Sequence, residues 1–202
     1  DVKIIIFGCN TATAVAMSTI QKEIPLQIIG VVQSGALAAA RTTETKNVAV
    51  IGTKATVDSH SYLKEIQYRD PEIKVSEFAQ PKLAPLAEED PDEDIKNAVV
   101  SESLTPLKNA DYDTLVLGCT HYPLLREEIV AVVGQDKKIV DPADQVAQYT
   151  YNVLRRDDLF AESTAPVKHD YYTTGEAKKF TEITRQWMND DTIIGHHVDA
   201  ED

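Results

Sequence analysis

The chain has 202 residues, 20 Lys+Arg against 33 Asp+Glu, and a formal net charge of −13. At roughly 150 residues per domain this is one to two domains, long enough to bury a core without staples. With 43% hydrophobic and 26% charged residues the composition is that of a globular chain, which excludes wholesale disorder, and the acidity argues against nucleic acid as a partner.

The predicted elements run in an alternating order. Apolar runs predict strands at Val2–Phe7, Gln27–Val32, Asn47–Ile51, Lys74–Phe78, Thr114–Leu117 and Lys138–Val140. Amphipathic stretches predict helices at Thr11–Glu23, Gly35–Thr43, Val57–Gln67, Glu93–Lys108, Pro123–Val133, Pro142–Arg155 and Gly175–Asn189. Short β-branched strands alternating with helices are the signature of βα units and a mostly parallel sheet. Ile4–Phe7 and Thr114–Leu117 are apolar on both faces, as strands covered by helices are. Tyr171-Tyr172-Thr173-Thr174-Gly175 predicts a late strand entering a turn, and the acidic run Glu88–Asp94 a solvated loop and helix start. No apolar run reaches the roughly 18 residues that span a bilayer. Two cysteines make no disulfide scaffold, so a reducing, cytoplasmic compartment is expected.

One internal similarity stands out. Ile5-Ile6-Phe7-Gly8-Cys9-Asn10-Thr11 parallels Leu115-Val116-Leu117-Gly118-Cys119-Thr120-His121. Each is an apolar strand, then Gly-Cys, two polar residues and a helix, and these are the only two cysteines. Ligands of open α/β sheets bind beyond the carboxyl ends of strands. A cysteine at a helix N-terminus is expected to have a lowered pKa. Asn10, Thr11 and Thr120 add side-chain donors to free backbone N–H groups, a setting for a carboxylate.

Several chemistries fit. A two-base racemase needs one acid/base group on each face of a stereocentre. A Cys–His hydrolase would need only Cys119 with His121. A redox pair would favour Cys-x-x-Cys, and zinc would need further ligands. Both cysteines could also be small buried hydrophobes. Gly52-Thr53-Lys54-Ala55-Thr56 looks like an anion-holding turn without P-loop spacing; N-capping by Thr explains it equally well.

Two longer motifs carry a resemblance. Phe7-Gly8-Cys9-Asn10-Thr11-Ala12-Thr13-Ala14 and Leu117-Gly118-Cys119-Thr120-His121-Tyr122-Pro123-Leu124-Leu125 resemble the two cysteine motifs of the bacterial glutamate racemases, within the cofactor-independent aspartate/glutamate racemases. Val50–Val57, Pro85-Leu86-Ala87-Glu88 and Asp170–Gly175 resemble further segments of that family, in order. The Asp-Ser-Gly and Pro-Tyr-Gly motifs that precede the family's first cysteine do not occur. The sequence therefore reads as beginning in mid-fold, with several tens of residues missing upstream.

The resemblance implies two pseudo-symmetric α/β domains around an interdomain cleft, here 1–32 with 144–202, and 33–143. It implies interconversion of L- and D-glutamate, supplying D-glutamate for peptidoglycan. Cys9 would be the base for D-glutamate and Cys119 the base for L-glutamate. Asn10, Thr11, Thr120, His121, Thr53 and Thr56 would bind substrate, with Glu88 tuning the site. No pyridoxal phosphate, metal or nucleotide is implied. The partner is a small molecule, neither nucleic acid nor membrane, with a homodimer allowed. The alternatives are another amino-acid racemase, such as one for aspartate, or an inactive fragment that only binds.

Overall fold

Strands covered on both faces organise the larger part of the chain. In the computed structural model, residues 2–162 and 166–199 are described, and the chain divides into two compact units, Asp1–Phe160 and Ala161–Asp202.

In the first unit, β1 (Ile4–Phe7) pairs in parallel with β2 (Gln27–Gly30). A second parallel sheet has the order β4-β3-β5-β6, formed by β3 (Asn47–Gly52), β4 (Lys74–Ala79), β5 (Thr114–Gly118) and β6 (Lys138–Val140). Side chains alternate along β3 and β5. Ala49, Ile51, Leu115 and Leu117 enter one core cluster, and Val48, Val50 and Val116 enter another. Each fully buried Leu, Ile or Val contributes about 1.5–3 kcal/mol of apolar burial. That two-sided burial is why these runs are apolar throughout.

The helices of this unit are α1 (Asn10–Glu23), α2 (Val31–Thr42), α3 (Lys54–Asp58), α4 (Ser61–Arg69), α5 (Leu83–Glu89), α6 (Glu93–Ser103), α7 (Arg126–Val133) and α8 (Pro142–Arg156). Five departures from expectation occur. α2 begins at Val31, where β-branched residues had predicted strand; Val31 and Val32 are buried in the helix instead, so tertiary burial overrides propensity. The expected helix Val57–Gln67 is two helices, broken at His60 with φ 52°. The break is local: Ser59 Oγ donates to Thr56 O at 2.6 Å and accepts from Ser61 N at 3.2 Å, side-chain bonds that compete with the helical ladder. α5 was hidden by Pro85, yet Leu83, Leu86 and Ala87 share its buried face. The expected helices Glu93–Lys108 and Pro123–Val133 are each part α-helix and part 3-10 turn, at Thr105–Asn109 and Tyr122–Leu125.

The second unit holds β7 (Tyr171–Thr173), α9 (Ala177–Met188) and β8 (Gly195–His197), with β7 and β8 parallel. Among the described residues no helix is long and apolar enough to cross a membrane.

Candidate active site

The carboxyl ends of β1, β3 and β5 carry the polar turns. At the end of β1, Cys9 is the N-cap of α1, and its sulfur accepts from Ala12 N at 3.5 Å. Cys9 is exposed, whereas Cys119, following β5, is buried. The two preceding glycines serve different ends. A Cβ on Gly118 would lie 2.7 Å from Ile51 O, so glycine there permits close packing of β5 on β3, while a Cβ on Gly8 would meet nothing within 4 Å.

The β1 and β3 turns meet through hydroxyls. Thr11 Oγ1 lies 2.8 Å from Thr53 Oγ1 and 3.3 Å from Thr56 Oγ1, and Thr53 Oγ1 lies 3.0 Å from Thr56 Oγ1. Thr53 also caps α3, accepting from Thr56 N at 3.2 Å. Capping and clustering are therefore both present at this turn. Each hydroxyl has one proton and two lone pairs, so a three-hydroxyl cluster retains capacity for a further polar partner.

The β5 turn runs into the 3-10 turn at Tyr122–Leu125 rather than directly into an α-helix. Cys119 Sγ lies 3.9 Å from His121 Nδ1, and His121 Nε2 lies 3.1 Å from Glu88 Oε1. The acidic run thus sends one Glu, from the end of α5, toward the cysteine. Thr120 is exposed and borders an apolar concavity of about 440 Å³ whose walls include Ile6, Val31, Val146 and Tyr151.

The thiol of Cys119 contradicts the expectation of a lowered pKa. Burial pushes it above its ordinary value of 9.0, against the backbone N–H groups of His121 and Tyr122, and the nearby Cys9 and Glu88 push it the same way. Desolvation of a thiolate outweighs the turn's dipoles here.

All nine residues singled out in the sequence lie around the ends of these strands or, for Glu88, on α5. Two residues that sequence reasoning did not assign also reach the site. Tyr62, on α4, is fully buried and donates its hydroxyl to Asn10 Oδ1 at 2.6 Å. Tyr122, inside the second cysteine motif, is fully buried and donates to Gln80 O at 2.8 Å. The signal for both was a tyrosine on an apolar face, a position that needs a hydroxyl partner once buried. Among the described residues no group of three or more His, Cys, Asp or Glu is arranged to hold a metal ion.

A family model for Asp/Glu/hydantoin racemase matches residues 1–150. The chain is 98% identical over 202 residues to the glutamate racemase of Lactobacillus johnsonii, which spans all of this chain and 76% of that protein. It is 59% identical to the glutamate racemase of Lactobacillus acidophilus, over 100% of this chain and 75% of the relative. Among solved structures it is similar to a glutamate racemase isoform from Bacillus anthracis, with TM-score 0.90, 33% identity, and coverage of 99% of this chain and 74% of that one. It is also similar to the glutamate racemase of Francisella tularensis in complex with D-glutamate, with TM-score 0.89, 27% identity, and coverage of 98% and 74%.

Proposed function

The chain belongs to the Asp/Glu/hydantoin racemase family, and from that premise we propose that it interconverts L- and D-glutamate by a two-base reaction without a cofactor. The observation that carries this reading is the pair of cysteines, one at each of two matched strand ends, Cys9 capping α1 after β1 and Cys119 directly following β5.

The chemistry follows from the stereocentre. One thiolate removes the α-proton and becomes a thiol. The other thiol delivers its proton to the opposite face and becomes a thiolate, so charge and protons balance over a turnover. Cys9 acts as base on D-glutamate and Cys119 on L-glutamate. The α-proton is weakly acidic, so the developing carbanion needs fixed donors around it. Asn10, Thr11, Thr53 and Thr56 supply donors on one side, and Thr120 with the amides of the β5 turn on the other. His121, held between Glu88 and Cys119, tunes the second thiol. The pairing of 1–32 with 144–202 against 33–143 across a cleft belongs to the same proposal, as do a cytoplasmic site of action and a role in supplying D-glutamate for peptidoglycan. A homodimer is compatible with this reading.

The test is incubation of the full-length protein with D-glutamate in deuterium oxide. Loss of the α-proton signal together with appearance of L-glutamate is the expected result. An unchanged NMR spectrum would refute the reading.

A further inference from the structure

Asn10 is buried next to Cys9, and its amide is only half satisfied. Its Oδ1 accepts the Tyr62 hydroxyl at 2.6 Å, while its Nδ2 is buried without a hydrogen-bond partner. A buried donor left unpaired is costly and calls for a partner, which a bound ligand can supply. Which end of the amide faces outward depends on what fixes the carbonyl, because an Asn side chain can turn over. Tyr62 is that fixture. Its ring is fully buried and fills the space left by two glycines, since a Cβ on Gly118 would come within 3.2 Å of Tyr62 Cε2 and one on Gly35 within 2.9 Å of the Tyr62 oxygen. From there its hydroxyl reaches the start of α1.

We infer that Tyr62 is a positioning residue for the racemase reaction: its hydroxyl holds the Asn10 carbonyl so that the Asn10 Nδ2 is presented to the substrate carboxylate. The role rests on the racemase reading given above. Tyr62 touches neither substrate nor the reacting atoms; it acts through Asn10. A neutral phenol suits this task, and burial holds Tyr62 protonated by raising its pKa far above the usual range. The carboxylate takes up charge as the α-proton leaves, in either direction, so the contact strengthens in the transition state and its loss appears in kcat as well as in KM.

The experiment uses the full-length protein and compares Tyr62→Phe, Asn10→Ala and the double variant, in both reaction directions. Tyr62→Phe keeps the ring and removes the donor. It is expected to lower kcat/KM about 10- to 100-fold for both enantiomers, through kcat as well as KM. In the Asn10→Ala background the same substitution should change kcat/KM by less than about twofold, because the group it positions is gone. Replacing Tyr62 with 4-aminophenylalanine, which restores a donor on the same ring, should return the activity to within about threefold of wild type. Should the Phe variant melt below assay temperature, 4-fluorophenylalanine fills the volume without donating and is expected to show the same loss. Wild-type kcat/KM in Tyr62→Phe, or losses that multiply in the double variant, would overturn the role of Tyr62 while leaving the racemase reading intact. A wild-type protein without racemase activity would overturn that reading and this role with it.

Discussion

Cys9 and Cys119 occupy similar turns but different environments. Cys9 is exposed at the start of α1, and Cys119 is 7% exposed with its pKa raised by burial. Alkylation depends on both access and thiolate fraction. Iodoacetamide at pH 7.5 is therefore expected to modify Cys9 at least about tenfold faster than Cys119, read by peptide mass spectrometry. Equal rates would contradict the burial assigned to Cys119. This asymmetry was not legible in the sequence. The Gly-Cys pattern marked both turns, and the helix-terminus argument applied to both alike. Only the packing of β5 against its neighbours distinguishes them. Tyr62 signalled only that a tyrosine on an apolar face would need a hydroxyl partner; the partner, Asn10, is 52 residues away and was not legible.

At the scale of elements, two junctions hold the site's framework. The first is the close approach of β3 and β5, where Gly118 pairs with Gly52. Gly118→Ala would put a methyl 2.7 Å from the Ile51 carbonyl, and backbone cannot yield as a side-chain tip can. Overpacking of this kind costs roughly 1–3 kcal/mol, so the variant should unfold at lower denaturant, and an unchanged midpoint would refute the close packing. The second is Asp113, which joins the end of α2 to the start of β5. It accepts from Thr43 Oγ1 at 2.6 Å, Glu44 N at 2.6 Å, Thr45 N at 2.8 Å and Thr114 Oγ1 at 2.8 Å. Burial alone would raise its pKa, yet these bonds hold the carboxyl well below its ordinary 3.8. A depressed carboxyl stabilises the fold above its unfolded pKa and loses that contribution as pH falls toward its folded pKa. Asp113→Asn should destabilise the protein by about 1–3 kcal/mol at pH 7. It should also flatten the loss of stability below about pH 5, measured by urea unfolding across pH. An identical acid limb in the variant would show that Asp113 is not part of it.

Across the whole molecule, the elements most legible in sequence were those whose burial is symmetric. Lys138–Val140 is a strand with the expected bounds, and Thr114–Leu117 extends by one residue to Gly118. Elements decided by long-range burial were misread, as at Val31–Val32 and Leu83–Glu89, and the short polar strand Gly195–His197 offered no apolar pattern to find. Function was legible because the residues around the two Gly-Cys turns resemble the cysteine motifs of a known family; the turns alone left a hydrolase and buried cysteines open. The racemase reading turns on the division of work between the two thiols. Cys→Ser keeps the shape and removes a base of suitable pKa, so Cys9→Ser and Cys119→Ser should each abolish racemisation of glutamate by the full-length protein. A substrate analogue with a β-leaving group needs only the first deprotonation, which separates the two roles. Cys119→Ser is predicted to eliminate from the D-analogue through Cys9, and Cys9→Ser from the L-analogue through Cys119. Racemisation of glutamate by either single variant at near wild-type rate would contradict the two-base mechanism.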